Sequence, residues 1–530
     1  MNDSSFTADK RTRRLPRILA TRSTGLAFLS LWGFLLLTAV AATPEVVDSP
    51  PPQDVGTGDQ ELSLTIPDCI SRALLKNLDI SIQRIAPQIA SAQTLSAFGA
   101  FDPTLQLQTQ YGAAEYQIDS TSLSAYNTQT SSYQLSLSQL TALGTQLSLS
   151  MSSSSSQDNL GYIFAEYTSL ASFNVTQPLL KGFGTDITEA QIRIARRGQV
   201  AADAGFQAQV EQIISNVVSA YYELIYAQDN LTSQEKSLSL AQELLDDNKI
   251  RVRVGTMTAL DISQTTSEVA SRRDDVLQAR QVVIEQENAL KRLISDDFAD
   301  MIGQNIVPLD RPGEDLTGKP PLADMAVALQ NRADYRQAIA QAEQSKLQLV
   351  FSQNQTLPQL NLIASYGYSG LGTNLGNSFN RVTSTDYPQW YVGLSVQVPF
   401  GNRQAIGQRD AAQLQKTETL LQLKKLEQDI LVQVNNAANR VQTDQERVDV
   451  SRTATEYAKD ALLAEQEKLS AGSTTTYTVL QMQRDLAQAE TNELRAVADL
   501  HESEVELFRV EGIILKVYHV VLDSSPSSER

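Results

Sequence analysis

The sequence has very few of the side chains that catalysis and metal binding require. Its 530 residues include one cysteine, Cys69, and two histidines. A disulfide within the chain is therefore excluded, and no His/Cys cluster is available as a metal site. A Gly-rich phosphate loop and a nucleophile motif are also missing. We expect no enzyme activity and no cofactor, and we interpret Cys69 as a buried thiol on a helix.

Acidic residues outnumber basic ones outside the first 41 residues. The formal net charge is −18, and residues 1–41 hold six basic and two acidic side chains, so the rest of the chain carries −22. Such an acidic surface repels phosphate backbones, and no basic patch alternates with aromatic residues. We therefore expect no nucleic-acid partner.

The first 41 residues have the order of a secretory signal peptide. Basic residues between Lys10 and Arg22 precede an uncharged apolar run over 25–42, and Ala39-Val40-Ala41 has the small-x-small pattern of a cleavage site. We place cleavage after Ala41. The alternative is an uncleaved membrane anchor, because the run is just long enough to span a bilayer. The Pro- and Gly-rich residues 42–60 are predicted to be a disordered linker.

Proline is absent from two long stretches, 179–307 and 400–525. Nothing in them forces a helix to break. Apolar residues recur every seven positions through both stretches, which predicts long antiparallel coiled-coil helices. The first stripe consists of Val210, Val217, Leu224, Leu231, Leu238, Leu245 and Val252 and resumes after Gly255; the second runs from Val434 to Leu469 and resumes after Gly472.

The chain repeats itself. Ala73-Leu74, Asp79, Pro103, Leu105 and Tyr111 recur 255 positions later as Ala328-Leu329, Asp334, Pro358, Leu360 and Tyr366. This twofold internal repeat predicts two halves with the order helix, strands, long helix, turn, helix. The predicted division is repeat 1 at 61–302, a linker at 303–321, repeat 2 at 322–512 and a C-terminal tail at 513–530.

Strands are predicted where apolar and polar residues alternate, after Pro103 and Pro358 and again at 173–177 and 392–398. This gives about four β-strands per chain. Four membrane strands would leave edges that lipid cannot satisfy, so a barrel would have to be shared between chains. The first half also holds 34 extra residues before Pro178, with a predicted hairpin turning near Gly144. The sequence leaves open whether that hairpin joins the wall of the barrel or projects outside it.

The duplicated order of these segments resembles the TolC outer-membrane efflux family over 61–512. The resemblance rests on Leu64-Thr65-Ile66 followed by Ala73-Leu74-Leu75-Lys76-Asn77, on Gln177-Pro178-Leu179, and on Arg253-Val254-Gly255-Thr256 through Asp261. It implies a mainly α fold with a membrane β-barrel part, assembled from three chains into an α/β barrel tunnel.

The same resemblance implies a function. Three chains would form a passive exit duct for efflux or type I secretion, with a barrel in the lipid of the cell outer membrane and a helical tunnel extending into the periplasm. A periplasmic adaptor would join the duct to an inner-membrane transporter. The cargo, the pump and the adaptor are not decided by the sequence.

By resemblance the helical tips dock the adaptor, at Gly255 with Thr256 and at Gly472 with Ser473. The gate acids of the family lie six and nine positions after the second tip glycine, where this chain has Thr478 and Gln481. The first tip keeps an acid, Asp261, with Arg251 and Arg253 expected near enough to pair with it. The predicted pore gate is Asp261, Arg253, Thr478 and Gln481. Two simpler interpretations stay open: glycine ends helices in any protein, and an acid at a helix start is favoured by the dipole.

A rival interpretation is a secreted or envelope-anchored coiled-coil structural protein with no transport role. It explains the heptads equally well. The alternating strands, embedded between helices in both halves, favour the duct.

Overall fold

The computed structural model describes residues 60–116, 126–158, 166–311 and 325–522. The predicted signal peptide lies outside the described residues, as does the predicted linker apart from Gln60. Helices dominate the described part. They are α1 Ile66–Lys76, α2 Leu78–Phe98, α3 Thr185–Thr188, α4 Ala190–Arg253, α5 Ala259–Ile294, α6 Met325–Asn331, α7 Ala333–Gln355, α8 Leu375–Thr383, α9 Arg403–Ser470, α10 Thr476–Val510 and α11 Ile514–Val517.

The strands form two sheets. They are β1 Gln60–Leu64, β2 Thr104–Tyr116, β3 Tyr126–Leu140, β4 Gln146–Asp158, β5 Glu166–Pro178, β6 Gln304–Pro308, β7 Gln359–Gly372 and β8 Pro388–Gln397. β1 and β6 pair in parallel, and the other six form one antiparallel sheet in the order β2-β3-β4-β5-β7-β8.

The heptad stripes form the seams between the helices. α4 has 64 residues and α9 has 68, or roughly 100 Å each at 1.5 Å per residue. Their central stripe positions are fully shielded: Val210, Val217 and Leu224 on α4 and Val434 and Val448 on α9 are all 0 % exposed. Each such side chain contributes roughly 1.5–3 kcal/mol by leaving water. The long-helix prediction is therefore confirmed.

Two shorter helices lie end to end beside each long helix. α2 and α5 both pack on α4, and Nδ2 of Asn77, just before α2, donates to the carbonyl of Leu293 near the end of α5 at 2.9 Å. In the second half α7 and α10 both pack on α9, and Nη1 of Arg332 donates to the carbonyl of Val510 at 3.3 Å. Each half is thus a double-length pair of helical columns.

The extra hairpin of the first half belongs to the large sheet. β3 and β4 turn through 141–145, where Gly144 has φ +88°, and lie between β2 and β5. Their register is continuous along both neighbours. The predicted number of about four strands is therefore too low, because the insertion adds two strands to the wall and raises the number to six.

Two segments outside the predicted repeats contain regular structure. The predicted linker 303–321 begins with β6, which pairs with β1 because Ile306 is buried in the same core as Leu64; residues 312–321 lie outside the described residues. The predicted tail 513–530 begins with α11, whose Ile514 is fully buried in that core. In both segments a buried apolar residue packs into the core, and composition alone does not predict this contact.

The prediction for Cys69 is confirmed, since its side chain is 0 % exposed on α1. Burial raises the pKa of its thiol to about 12. Over the ranges that the structure describes, no helix combines the length and the apolar character needed to cross a membrane.

Candidate pore and docking site at the helical tips

The two tips are built by the same turn. Gly255 and Gly472 have φ of +81° and +74°, which glycine adopts without strain. The amide of Thr256 donates to the Arg251 carbonyl at 2.9 Å, and the amide of Ser473 donates to the Lys468 carbonyl at 2.9 Å. With the glycine amides bonded one turn earlier, both helices end in a Schellman motif. A Cβ at either glycine would meet nothing within 4 Å, so the requirement for glycine is conformational.

A threonine starts the next helix at each tip. Thr258 and Asp261 form a capping box on α5, in which the Thr258 amide and hydroxyl both donate to Asp261 at 3.0 and 2.7 Å. On α10 the corresponding pair is Thr475 and Thr478, whose hydroxyls lie 3.0 Å apart. The two tips therefore share a backbone and differ in charge at the sixth position after glycine.

Within one chain, Asp261 caps the start of its own helix, α5. The hydrogen bond from the Thr258 hydroxyl holds the pKa of Asp261 below its ordinary range. Arg251 donates instead to the carbonyl of Leu469 at 3.1 Å. Among the described residues no ion pair joins Asp261 to Arg251 or Arg253, so the expected pairing does not form within one chain. The acid is engaged by the helix start.

The other predicted gate residues are neutral or exposed. Nε2 of Gln481 donates to Asp485 at 2.8 Å, one turn along α10. The side chain of Arg253 is exposed at the end of α4. The structure thus places Asp261 and Thr478 at equivalent positions, with Gln481 one turn beyond Thr478.

The two tips pack on each other. A buried cluster lies at the seam between the tips. It contains Leu462, Leu469, Val479 and Leu486, with Leu244, Met257 and Met482 packed against it, so α4, α9, α10 and the turn at the first tip share one core. The Arg251–Leu469 bond crosses the same seam. Movement of either tip must therefore disturb the other.

A buried ion-pair cluster joins the helices that follow the tips. Glu268 on α5 is 6 % exposed and accepts from Arg272 at 3.0 Å and from Arg484 on α10 at 3.1 Å. Burial alone would raise the pKa of Glu268, but the two guanidinium groups outweigh it and hold the pKa below its ordinary value. The spacing of Glu268 and Arg272 is visible in the sequence as an i,i+4 pair. The contribution of Arg484, 212 positions later than Arg272, is not.

The large sheet offers a second candidate surface. One face carries an apolar band across all six strands. Its members include Leu105 and Leu107 on β2, Leu135 and Leu137 on β3, Leu149 on β4, Phe173 on β5, Leu362 and Tyr366 on β7, and Trp390, Val392, Leu394 and Val396 on β8. All of them are at least 38 % exposed. Within the described residues β2 and β8 have one strand neighbour each, so the sheet ends in two open edges.

A family model described as outer membrane efflux protein matches residues 139–295 and 325–512, more than half of the chain. The chain is 23% identical over 306 residues to the pyoverdine export outer membrane protein OpmQ of Pseudomonas aeruginosa, a match that covers 57% of this chain and 61% of that protein. It is 21% identical over 316 residues to the outer membrane protein TolC of Vibrio cholerae, covering 59% and 70%. The chain thus spans about three fifths of the pyoverdine export protein's length.

Solved structures share the fold at low sequence identity. The outer-membrane channel OprN matches with a TM-score of 0.66 at 16% identity, over 84% of this chain and 89% of that one. The CmeC outer membrane channel of Campylobacter jejuni matches with a TM-score of 0.63 at 16% identity, over 85% and 86%. The helical columns and the strand sheet described above therefore recur in these channels.

Proposed function

Because the chain belongs to the outer membrane efflux protein family, we propose that three copies of it form the exit duct of an export system. In this proposal the duct is passive. A barrel of strands lies in the outer membrane, and the helical columns extend it as a tunnel into the periplasm.

The observation that carries the proposal is the sheet with one apolar face and two open edges. Unpaired N–H and C=O groups cannot face hydrocarbon, so the edges need strand partners if the apolar face meets lipid. Successive strands of the sheet are antiparallel, and β8 therefore runs opposite to β2. The β8 edge of one chain can pair with the β2 edge of the next in the same antiparallel pattern, and closure of the ring removes every edge.

The helical tips are the proposed docking points for a periplasmic adaptor. Gly255 and Thr256 at one tip and Gly472 and Ser473 at the other are all exposed. Two copies of one turn in each chain would offer a trimer six similar sites. An inner-membrane transporter, joined through the adaptor, supplies the energy.

The pore gate is proposed at the first turns after the tips. In a trimer, three Asp261 carboxylates around a narrow pore would attract cations, while Thr478 and Gln481 would add no charge. Arg253 would lie at the rim of the same turn. We expect weaker block by divalent cations than in a duct with acids at both later positions.

One experiment separates the duct from its rival. The mature chain, purified from an outer-membrane fraction, is expected to give heat-resistant trimers in detergent and to open channels in planar bilayers. A water-soluble monomer without detergent would instead support the coiled-coil structural protein. Deleting the gene and profiling both drug sensitivity and secreted proteins then identifies the cargo class.

A further inference from the structure

The extra hairpin is part of the sheet and not an appendage. Leu105 on β2 pairs with Leu137 on β3, Leu137 with Leu149 on β4, and Leu149 with Phe173 on β5. This row places four apolar side chains side by side on the exposed face. β3 and β4 therefore lie in the wall itself, with their apolar side chains on the same face as the other four strands.

The circumference of the wall follows from its strand number. If three chains assemble as proposed above, each contributes six strands, and the ring has eighteen. Strands spaced about 4.8 Å apart and tilted by about 40° give a ring of roughly 113 Å, or about 36 Å across. Without β3 and β4 the ring would have twelve strands and would be about 24 Å across by the same estimate.

The helical part of the chain supports the larger figure. Each chain contributes four columns, namely α4, α9 and the two end-to-end stacks beside them. Twelve columns with axes about 9.5 Å apart form a ring of roughly 114 Å. This circumference matches that of an eighteen-strand ring and exceeds that of a twelve-strand ring. The insertion therefore lets the strands continue the helical tunnel at nearly constant width.

The polar face of the sheet is electrically neutral over most of its height. From the rung of Ser148 and Asn174 to the rung of Ser154 and Thr168, this face carries no Asp, Glu, Lys, Arg or His. Its side chains are hydroxyls and amides with a few others between them. They include Gln106, Gln108, Gln110, Gln134, Ser136, Ser138, Ser150, Ser152, Ser172, Ser365 and Gln389. The next rung brings the first described acid, Glu166.

We propose, on the basis of the trimeric duct above, that the barrel of this protein is a wide, neutral exit that selects its cargo by size and not by charge. The class of cargo is large hydrogen-bonding solutes, for which a wall of hydroxyl and amide groups replaces water without an electrostatic barrier. The inner tips, with Asp261, would then form a charged constriction on the path.

Deletion of residues 126–158 tests the width. It removes β3 and β4, and because β2 runs antiparallel to β5 with apolar residues on the same face, the two can pair directly. Neutral polymers of graded size, added from the barrel side of a planar bilayer, are expected to enter the intact duct up to a diameter about 1.5-fold larger than in the deletion variant. The same cut-off in both would overturn the proposal.

A distance measurement keeps the test independent of the deletion's folding. A spin label at Leu105→Cys, in a Cys69→Ala background, lies on the exposed face of β2. In a threefold ring the labelled backbones are expected about 31 Å apart for eighteen strands and about 21 Å for twelve. The control label at Leu414→Cys, exposed on α9, keeps one distance in the intact and deleted chains. A distance near 21 Å in the intact chain overturns the proposal.

Charge neutrality is tested on the intact duct. Dextrans of one size that are neutral, cationic or anionic, added from the barrel side, are expected to reduce the current at concentrations within about twofold of each other. A preference of tenfold or more for one charge contradicts a neutral wall. Absence of trimers and channels altogether counts against the proposed function, whereas channels with the smaller width or a charge preference count against this inference alone.

Discussion

In each half the two shorter helices meet end to end at a joint, and the two joints use different side chains. Asn77 and Arg332, 255 positions apart, immediately precede α2 and α7. Asn77 bonds to the last turn of α5, and Arg332 bonds to the last turn of α10. Asn77 does so as a neutral amide, whose Oδ1 also accepts from the amides of Asp79 at 2.9 Å and Ile80 at 3.1 Å. Arg332 does so as a cation, paired with Asp334 at 2.6 Å and bonded to Gln433 at 2.9 Å. Geometry is preserved between the halves, and side-chain chemistry is not.

The tips and the strands extend this comparison. Both tips use one turn around a left-handed glycine, so the backbone there is common to the halves. The first half has an acid at Asp261 where the second has Thr478, and it has four strands in the large sheet where the second has two. Features that set the helical columns recur in both halves, whereas the charge at the tips and the number of strands in the large sheet differ between them.

The largest expected effect tests whether the tips are equivalent. Valine at Gly255 or Gly472 is strained at positive φ whatever space is available. We expect Gly255→Val and Gly472→Val each to abolish efflux while heat-resistant trimers persist, because neither glycine is packed against other residues. Efflux in a deletion strain and trimers on a gel measure the two effects.

The control for glycine removal is Gly407→Val, since Gly407 lies within α9 and a Cβ there meets nothing. It should leave efflux intact. Unimpaired efflux in both tip variants would remove the docking proposal, and loss in one alone would break the equivalence of the tips.

The next largest effect compares how much the two joints contribute to the stability of the protein. Arg332→Ala leaves the Asp334 carboxylate without its partner, and we expect a loss of about 3 kcal/mol in the free energy of unfolding. Asn77→Ala removes a cap and one hydrogen bond and should cost about 1–2 kcal/mol. Thermal unfolding of the purified protein in detergent ranks the two.

Arg409→Ala, an arginine on α9 that is 42 % exposed and paired with Asp410, is the matched control and should change stability by less than about 0.5 kcal/mol. Equal losses at Asn77 and Arg332 would show that the cation adds nothing beyond the hydrogen bond.

Much of this architecture can be predicted from the sequence because it depends on the periodic burial of apolar residues. Val210 and Val434 mark the long helices by heptad spacing, and the repeat predicts that the halves match. Membership of the outer membrane efflux protein family confirms the resemblance drawn from the duplicated motifs. The sequence leaves the place of β3 and β4 open, because alternating residues suit a strand in the wall and a strand outside it equally.

Contacts between distant segments lie beyond such reasoning. The Arg484–Glu268 pair and the packing of Ile514 depend on which helices become neighbours, and no local pattern specifies that. For Asp261 the sequence indicates an acid near arginines, yet the Thr258 hydroxyl is closer and is fixed by the capping geometry. The short-range partner therefore prevails over the longer side chains.

A smaller effect tests the divergence of the tips in charge. Thr478→Asp places an acid where the capping geometry of Asp261 already shows that one fits. Three added carboxylates should strengthen block by a divalent cation about tenfold, equivalent to roughly 1.4 kcal/mol of binding. Single-channel current at graded Mg²⁺ measures the change. Gln488→Asp, which adds the same charge ten residues farther along α10, tests whether the effect is confined to the first turn after the tip. Strong block in the unmodified protein that disappears with Asp261→Ala would show that the first tip already holds the gate acid.

The smallest effect separates the two helix starts by pH. The folded pKa of Asp261 is lowered, so its stabilisation of α5 is complete above the unfolded pKa of about 3.9 and is lost as pH falls through the folded pKa. Thr478 does not titrate. The first turn of α5 should therefore open below about pH 4, by about 1 kcal/mol, while the first turn of α10 stays protected. Hydrogen exchange of the two turns, corrected for intrinsic rates, measures this, and Asp261→Asn should abolish the pH dependence. If both turns opened together, acid would be acting on the seam between the tips and not on the cap, and the charge difference between the halves would have no local consequence.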